Sequence, residues 1–164
     1  MKQWLDAAID RGAVPVLTGQ NGDMDTIGSA IALAAIHPSL LACGLHLGRI
    51  AKRLVEEMEA PFRKIAAHGT VFPDQLGGII IVDAAAPTQV GIDLPEVPRL
   101  IIDHHATNGW ELREGDYMMQ WDVRATTEMV ATYMFQHAKE ALSSPVRKML
   151  LAGMITDTGR YRHA

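Results

Sequence analysis

The sequence predicts an α/β domain whose mostly parallel sheet is flanked by helices on both faces. Two apolar runs, residues 78–82 and 100–102, carry most of this prediction. They are rich in isoleucine and do not alternate apolar with polar residues, which is typical of parallel strands buried on both sides. Segments with apolar residues at helical spacing lie elsewhere along the chain, as the crossover connections of a parallel sheet require.

The N-terminus predicts a helix followed by a strand. Apolar residues from Trp4 to Ile9 recur at helical spacing, and Gly12 ends this helix. Residues 14–17 are a short apolar run between glycine and a cluster of turn residues. Such a run is typical of a buried strand that enters a loop.

Two further helices are predicted before residue 60. Residues 26–36 contain many small side chains, which allow close packing against a sheet, and this helix ends before Pro38. Residues 39–47 are compatible with a strand or with a helical turn, and the sequence leaves that choice open. Residues 50–59 carry apolar side chains on one helical face, and Pro61 ends that helix.

The remaining segments predict an edge strand and two helices. A short edge strand is expected within residues 110–122, beyond the two central runs. A helix over residues 126–141 has Thr126 or Thr127 as its cap. A final helix over residues 144–154 begins at a serine that precedes a proline, which is a favourable helix start.

The composition limits the function classes. One domain over residues 1–164 is expected, because 164 residues with 48% apolar content suffice for one core. The apolar runs are too short to span a membrane and the N-terminus is charged, so a cytoplasmic location is expected. A single cysteine excludes an internal disulfide framework and a cysteine-rich zinc site. The net charge of −4 argues against an extended nucleic-acid surface, so any nucleic-acid substrate is expected to be short or to be held partly by something outside this chain.

The acidic residues are placed where strands are predicted to end. Asp23 and Asp25 follow the first strand, Asp83 ends the second apolar run and Asp103 ends the third. The carboxyl ends of parallel strands share one edge, so these side chains are expected to converge there. Asp157 joins them if the last helix delivers it to the same edge. Asp25 has a second interpretation, as the cap of the helix that begins at residue 26.

Two histidines follow Asp103 directly and complete a metal-binding pattern. His104 and His105 are candidate ligands, and the preceding carboxylate can orient a ligating histidine. Several carboxylates at one edge carry too much negative charge to lie together without cations. Carboxylate and imidazole donors without thiolate suit Mn²⁺ or Mg²⁺, with Co²⁺, Zn²⁺ or Fe²⁺ as alternatives. One ion, or two bridged by a shared carboxylate, would activate water against a phosphoryl group.

Four segments together resemble the motifs of one enzyme family. Residues 21–30, Asn-Gly-Asp-Met-Asp-Thr-Ile-Gly-Ser-Ala, resemble the first motif of the DHH-family phosphoesterases, and residues 103–105 are the Asp-His-His triplet that names the family. Residues 82–83, Val-Asp, resemble its second motif, and residues 153–159, Gly-Met-Ile-Thr-Asp-Thr-Gly, resemble its fourth. Because the motifs occur in the family's order over nearly the whole chain, the sequence is identified as a member.

The resemblance implies a role for each of these residues. The implied metal ligands are Asp23, Asp25, Asp83, His104 and Asp157. Asp83 would bridge two ions, His105 would face the substrate phosphate or the attacking water, and Asp103 would orient the histidines. Separately, Arg160 and Arg162 follow the fourth motif and are candidates to contact a substrate phosphate, although terminal arginines are also typical of a solvated surface.

The family includes the RecJ exonuclease, oligoribonucleases, phosphodiesterases of small nucleotides and manganese-dependent inorganic pyrophosphatases. The resemblance therefore implies a Mn²⁺-dependent hydrolase of phosphodiester bonds in short single-stranded oligonucleotides or small nucleotides. No membrane partner is expected, and oligomerisation is compatible with the sequence.

The sequence departs from the family's pattern in two places. A histidine normally stands four residues before the first aspartate of the first motif, and this chain has Gly19 there. Gln20 and Asn21 are candidates to replace that ligand, and His46 is the first choice among the histidines His37, His46, His68 and His163. This departure supports a degenerate domain that binds a nucleotide or partner without cleavage as the first alternative, and it ranks a pyrophosphatase lower. The second departure is the absence of a smaller C-terminal domain before Ala164, so the chain is expected to be a piece of a longer protein.

Overall fold

The computed structural model describes residues 1–157, with Asp157 described by its backbone alone. The helices and strands follow one another as α1 (Lys2–Arg11), β1 (Val14–Thr18), α2 (Met24–Ala34), β2 (Leu40–Gly44), α3 (Arg49–Met58), β3 (Arg63–Lys64), β4 (Ile79–Val82), β5 (Arg99–Asp103), β6 (Tyr117–Gln120), α4 (Thr126–His137) and α5 (Ser144–Asp157). Short 3-10 turns occupy Pro87–Gln89 and Lys139–Ala141. The helix predicted over 126–141 therefore ends at His137, and the last helix continues past Met154.

Within residues 1–157, six strands form one sheet in the order β3-β2-β1-β4-β5-β6, and every neighbouring pair is parallel. The α/β prediction is confirmed. The segment that the sequence left open is a strand, β2. Strand β3 was not predicted, because its two residues are exposed and carry no apolar signal.

The two faces of the sheet are covered differently. Alternate strand residues such as Val16, Ile80 and Ile102 belong to the core that includes the buried residues of all five helices. The opposite face, with Ile81 and Ile101, packs against Trp110 and other residues of connecting loops. The prediction of helices on both faces is therefore wrong for the second face within the described residues.

The order of the strands explains this asymmetry. From β1 the chain moves in one direction through β2 to β3, and then returns to β4 and moves in the other direction to β5 and β6. Right-handed crossovers place connections on opposite faces when the direction of travel reverses. The first connections contain α2 and α3, whereas those after β4 and β5 are loops. Consequently helices cover one face and loops the other.

Helix α2 is buried along its length from Met24 to Leu33. Its small residues serve close packing against α5, because a Cβ added at Gly28 would lie 2.7 Å from the carbonyl oxygen of Met149. The small side chains noted in the sequence therefore bring two helix backbones together. None of the helices among the described residues combines the length and apolar character that a membrane crossing requires.

A buried ion pair fixes the start of β5. The guanidinium of Arg99 donates from Nη2 to Oδ2 of Asp116 at 2.7 Å and from Nε to the same oxygen at 3.0 Å. Both side chains are nearly inaccessible to solvent. Burial raises the pKa of Asp116, but hydrogen bonds from Arg99 and from the backbone of Arg113 outweigh it, so that its pKa lies below the ordinary value of 3.8.

Replacing Asp116 by Asn should lower the free energy of unfolding by about 3 kcal/mol at neutral pH, because the buried Arg99 loses its counter-charge. A carboxylate whose pKa is lowered by folding stabilises the native state above its unfolded pKa, and this contribution is lost as the pH falls through the folded pKa. The difference in the free energy of unfolding between the wild type and the variant should therefore shrink below about pH 4. Urea denaturation at several pH values measures this difference.

The matched control is Glu96→Gln, which removes the acid of the exposed pair between Arg113 and Glu96. It should change the stability by less than about 1 kcal/mol. Equal losses in the two variants would contradict a dominant role for the buried pair.

Candidate metal centre

The predicted site residues lie at the carboxyl edge of the sheet, around the point where the strand order reverses. Strand β1 is flanked by β2 on one side and β4 on the other. The loop after β1 carries Asp23, the residue after β4 is Asp83, and β5 ends at Asp103. In open parallel sheets, ligand sites form in the crevice at such a reversal point.

Asp23 caps helix α2. Its Oδ1 accepts a hydrogen bond from the backbone nitrogen of Thr26 at 3.0 Å, and Oδ2 accepts one from the amide of Asn21 at 3.3 Å. The residue is exposed. The interpretation of Asp25 as the cap of this helix is wrong, because α2 begins two residues earlier than predicted and Asp25 already lies within its first turn.

Asp25 instead caps a helix that is distant in sequence. Its two oxygens accept hydrogen bonds from the backbone nitrogens of Thr126, at 3.0 Å, and Thr127, at 2.9 Å, and from the Thr127 hydroxyl at 2.8 Å. The prediction that Thr126 or Thr127 caps α4 is therefore wrong, since Ala125 is the N-cap and neither threonine side chain caps the helix. Burial raises the pKa of Asp25, and the hydrogen bonds from the two threonines oppose this effect only in part.

Asp83 sits in the left-handed region of the backbone, with φ of 60°. Its Oδ1 accepts a hydrogen bond from the hydroxyl of Thr126 at 3.1 Å and lies 3.3 Å from Nε2 of His104. Burial raises the pKa of Asp83 well above its ordinary value, and the charges of Asp25 and Asp23 add to this increase. A carboxylate in these surroundings is therefore stabilised in its charged form by a nearby cation.

His104 presents one ring nitrogen to two carboxylates. Its Nδ1 lies 3.1 Å from the backbone oxygen of Val123, and a carbonyl can only accept, so Nδ1 carries hydrogen. Its Nε2 lies 3.3 Å from Asp83 and 3.8 Å from Asp25. A neutral imidazole would then direct a lone pair at carboxylate oxygens. This arrangement requires either a proton between Nε2 and one of the carboxylates or a cation bound by these groups.

Asp103 is fully buried at the end of β5 and holds His105 in place. The ring nitrogen Nδ1 of His105 lies 2.6 Å from Oδ1 of Asp103, and the backbone nitrogen of His105 donates to Oδ2 at 3.3 Å. This contact places a proton on Nδ1 and leaves Nε2 as the nitrogen able to bind a ligand. The predicted orienting role thus has a structural counterpart for His105, whereas Nδ1 of His104 contacts Val123.

Three of the predicted residues come together as one donor cluster. One ligand atom from each of Asp83, His104 and His105 lies within 4.8 Å of the other two. One carboxylate and two imidazoles fit a divalent ion such as Mn²⁺, Mg²⁺, Co²⁺ or Zn²⁺ and do not discriminate strictly among them. Asp25 borders this cluster through its contact with His104, and Asp23 lies to one side.

Three predicted site residues cannot be placed. Asp157 is the last residue of α5, and its side chain is not described. Arg160 and Arg162 lie outside the described residues. Thr126 is a site residue that the sequence analysis missed as a contact of Asp83, since nothing in its local sequence indicates a partner 43 residues away.

A cleft adjoins the cluster at Gly19. We refer to it as the switch cleft, because it lies where the order of the strands reverses. It measures about 290 Å³ and is lined by Gly19, Gln20, Asn21, Asp23, Asp83, Gln89 and His105. The amides of Gln20 and Asn21 therefore border the position where the family has a histidine. His46 is exposed and does not line this cleft, and His163 lies outside the described residues.

Comparison with known families decides the assignment. The profile of the DHH family, N-terminal domain, matches residues 13–154. This chain belongs to the DHH family. A comparison of this chain with proteins whose functions have been curated found no match.

The solved structures that resemble this chain include the two that follow. A Methanococcus jannaschii protein assigned as a family II inorganic pyrophosphatase is 23% identical, with a TM-score of 0.66 over 88% of this chain and 48% of its own. An exopolyphosphatase-related protein from Bacteroides fragilis is 15% identical, with a TM-score of 0.62 over 98% of this chain and 49% of its own. The DHH chain spans about half the length of each. At these identities the likeness establishes the fold.

Replacing Asp25 by Ala should lower the free energy of unfolding by about 2–4 kcal/mol even in the presence of a chelator, because three donors of α4 lose a charged acceptor. Replacing Asp83 by Ala should cost less without metal, since that change removes one hydroxyl contact and relieves the burial of a carboxylate. Urea denaturation with EDTA measures both. A larger loss for Asp83→Ala would show that Asp25 is not the main structural carboxylate.

Proposed function

We propose that this DHH chain is the metal-binding part of a divalent-metal-dependent hydrolase, and that Mn²⁺ is its ion. Its reaction is the attack of metal-activated water on phosphodiester bonds of short single-stranded oligonucleotides or small nucleotides. The observation that carries the proposal is the convergence of Asp83, His104 and His105 at the carboxyl edge of the sheet. Membership of the DHH family supports the same conclusion.

The residues around the cluster prepare it for this chemistry. Asp103 holds the proton of His105 on Nδ1, which keeps Nε2 available to a ligand or to a proton from water. The carbonyl of Val123 does the same for His104. A bound divalent ion would lower the pKa of water and neutralise charge that develops on the phosphoryl oxygens. Thr126 holds the carboxylate of Asp83 toward the cluster.

The composition supports a small substrate. A chain with net charge −4 and 5% aromatic residues offers little for tracking a long phosphate backbone or stacking successive bases. A dinucleotide or a small nucleotide places one scissile phosphate at the metal centre without needing such a surface.

Two other functions have support of their own. The first is a domain that binds a nucleotide or partner without cleavage. Gly19 and the position of Asp23 beside the three-residue cluster favour it, because they favour a site with one ion. Such a site activates water less well than a site with two ions. Inorganic pyrophosphate is the alternative substrate, and its support is the similarity to the M. jannaschii protein assigned as a family II inorganic pyrophosphatase.

Replacing Asp83 by Asn should abolish Mn²⁺ binding by calorimetry and reduce hydrolysis of a dinucleotide by more than the roughly 10–100-fold that loss of an outer-shell partner costs. The amide removes the negative charge and one donor from the cluster while keeping the size of the side chain. Asp93→Asn, at an exposed residue outside the cluster, is the control and should leave both quantities unchanged.

The same assay separates the three functions. Turnover of dinucleotide supports the proposal, and turnover of pyrophosphate alone favours the second substrate. Binding of nucleotide without turnover under any divalent metal would contradict hydrolysis by this chain. Retention of Mn²⁺ binding in Asp83→Asn would contradict the assignment of the metal centre.

A further inference from the structure

A second cleft lies on the other side of Asp23, and we call it the α3 cleft. It measures about 360 Å³ and lies between the loop after β1 and the first turn of α3. Asp23 and Asp25 line one side, and Gly48 and Arg49 line the other. Asp25 connects the α3 cleft to the metal centre, because its Oδ2 lies 3.8 Å from Nε2 of His104.

Backbone contacts hold Arg49 beside Asp23 and Asp25. The nitrogen of Gly48 donates to the carbonyl oxygen of Gly22 at 2.8 Å, which joins the loop after β2 to the loop after β1. Gly22 has φ of 61°, and a Cβ at this position would collide with the carbonyl oxygen of His46. The first residue of α3 is therefore positioned relative to Asp23 by the main chain and not by a flexible side-chain contact.

The charge of Arg49 is not neutralised by its own helix. Among the described residues Arg49 forms no ion pair, whereas Arg53, one turn later, pairs with Glu57 at 3.4 Å. The first turn of α3 contains no acidic residue, and the N-cap Gly48 provides no side-chain cap. Arg49 is the basic residue among those that line the α3 cleft.

A phosphate group that binds at the carboxyl edge of the sheet needs a positively charged partner such as Arg49. Asp23, Asp25 and Asp83 repel an anion, and an ion bound at the cluster offsets only part of their charge. The guanidinium group offers planar, paired donors that match phosphate oxygens. We propose that Arg49 binds a phosphate group of the substrate in the α3 cleft, next to the metal centre. This inference rests on the proposed function and adds a residue that recognises the substrate.

The test measures the affinity of the Mn²⁺-loaded chain for inorganic phosphate by calorimetry. Replacing Arg49 by Gln should weaken phosphate binding about 10-fold or more, because charge-assisted hydrogen bonds to phosphate are lost. Arg49→Lys should restore part of the affinity, since it keeps the charge without the paired donors. Mn²⁺ affinity and the circular dichroism spectrum should stay unchanged in both variants. The KM for a dinucleotide should rise in Arg49→Gln more than kcat falls.

Arg53→Gln is the matched control on the same helix, and it should bind phosphate as wild type does. Equal phosphate affinity in Arg49→Gln and wild type, equal loss in Arg53→Gln, or no phosphate binding by the Mn²⁺-loaded wild type would overturn the inference. Phosphate binding does not require turnover. A full-length wild-type protein that binds phosphate through Arg49 but hydrolyses nothing would therefore refute the proposed function and leave this inference standing.

Discussion

The carboxylate of Asp25 is the contact on which the carboxyl edge of this domain depends. It joins the first turn of α2 to the first turn of α4 across more than 100 residues of chain. By fixing Thr126, it also places the hydroxyl that contacts Asp83, and its own oxygen approaches His104. Two helices and the donor cluster thus share one buried acid. No packing of apolar side chains alone would specify these polar positions.

This arrangement carries an electrostatic cost. Asp25 is buried and the side chain of Asp83 is only 6% exposed, and this burial raises the pKa of each, so the folded domain holds carboxylates in surroundings that disfavour their charge. Donors from α4 compensate Asp25 through hydrogen bonds. Asp83 has one hydroxyl donor and the ring of His104 as partners. A bound divalent ion would offset the rest of the cost of burying its negative charge. Stability and metal binding are therefore coupled more strongly at Asp83 than at Asp25.

The sequence predicted the parts of the fold that local patterns determine. The unalternating runs of β4 and β5 indicated a buried parallel sheet, and the acids after the strands indicated its carboxyl edge as the site. The sequence left Asp25 open as a site residue or as the cap of α2, because both Asp23 and Asp25 suit a helix start and the contact of Asp25 with α4 is a tertiary one. The one-sided covering of the sheet was missed for a similar reason, since it follows from the order of the strands.

Two glycines in the loop after β1 show how backbone and side-chain requirements differ at this edge. Gly22 is required by the chain path, because its φ is positive and a Cβ would collide with the loop after β2. Gly19 has no such conformation, and a Cβ there would lie 3.2 Å from the carbonyl oxygen of Asp83, so that this oxygen would have to move by a few tenths of an ångström. At Gly19 the constraint on a side chain is therefore the contact with Asp83 and not the backbone conformation. A glycine at this position contributes no side-chain donor to the switch cleft, which it lines together with Asp83 and His105.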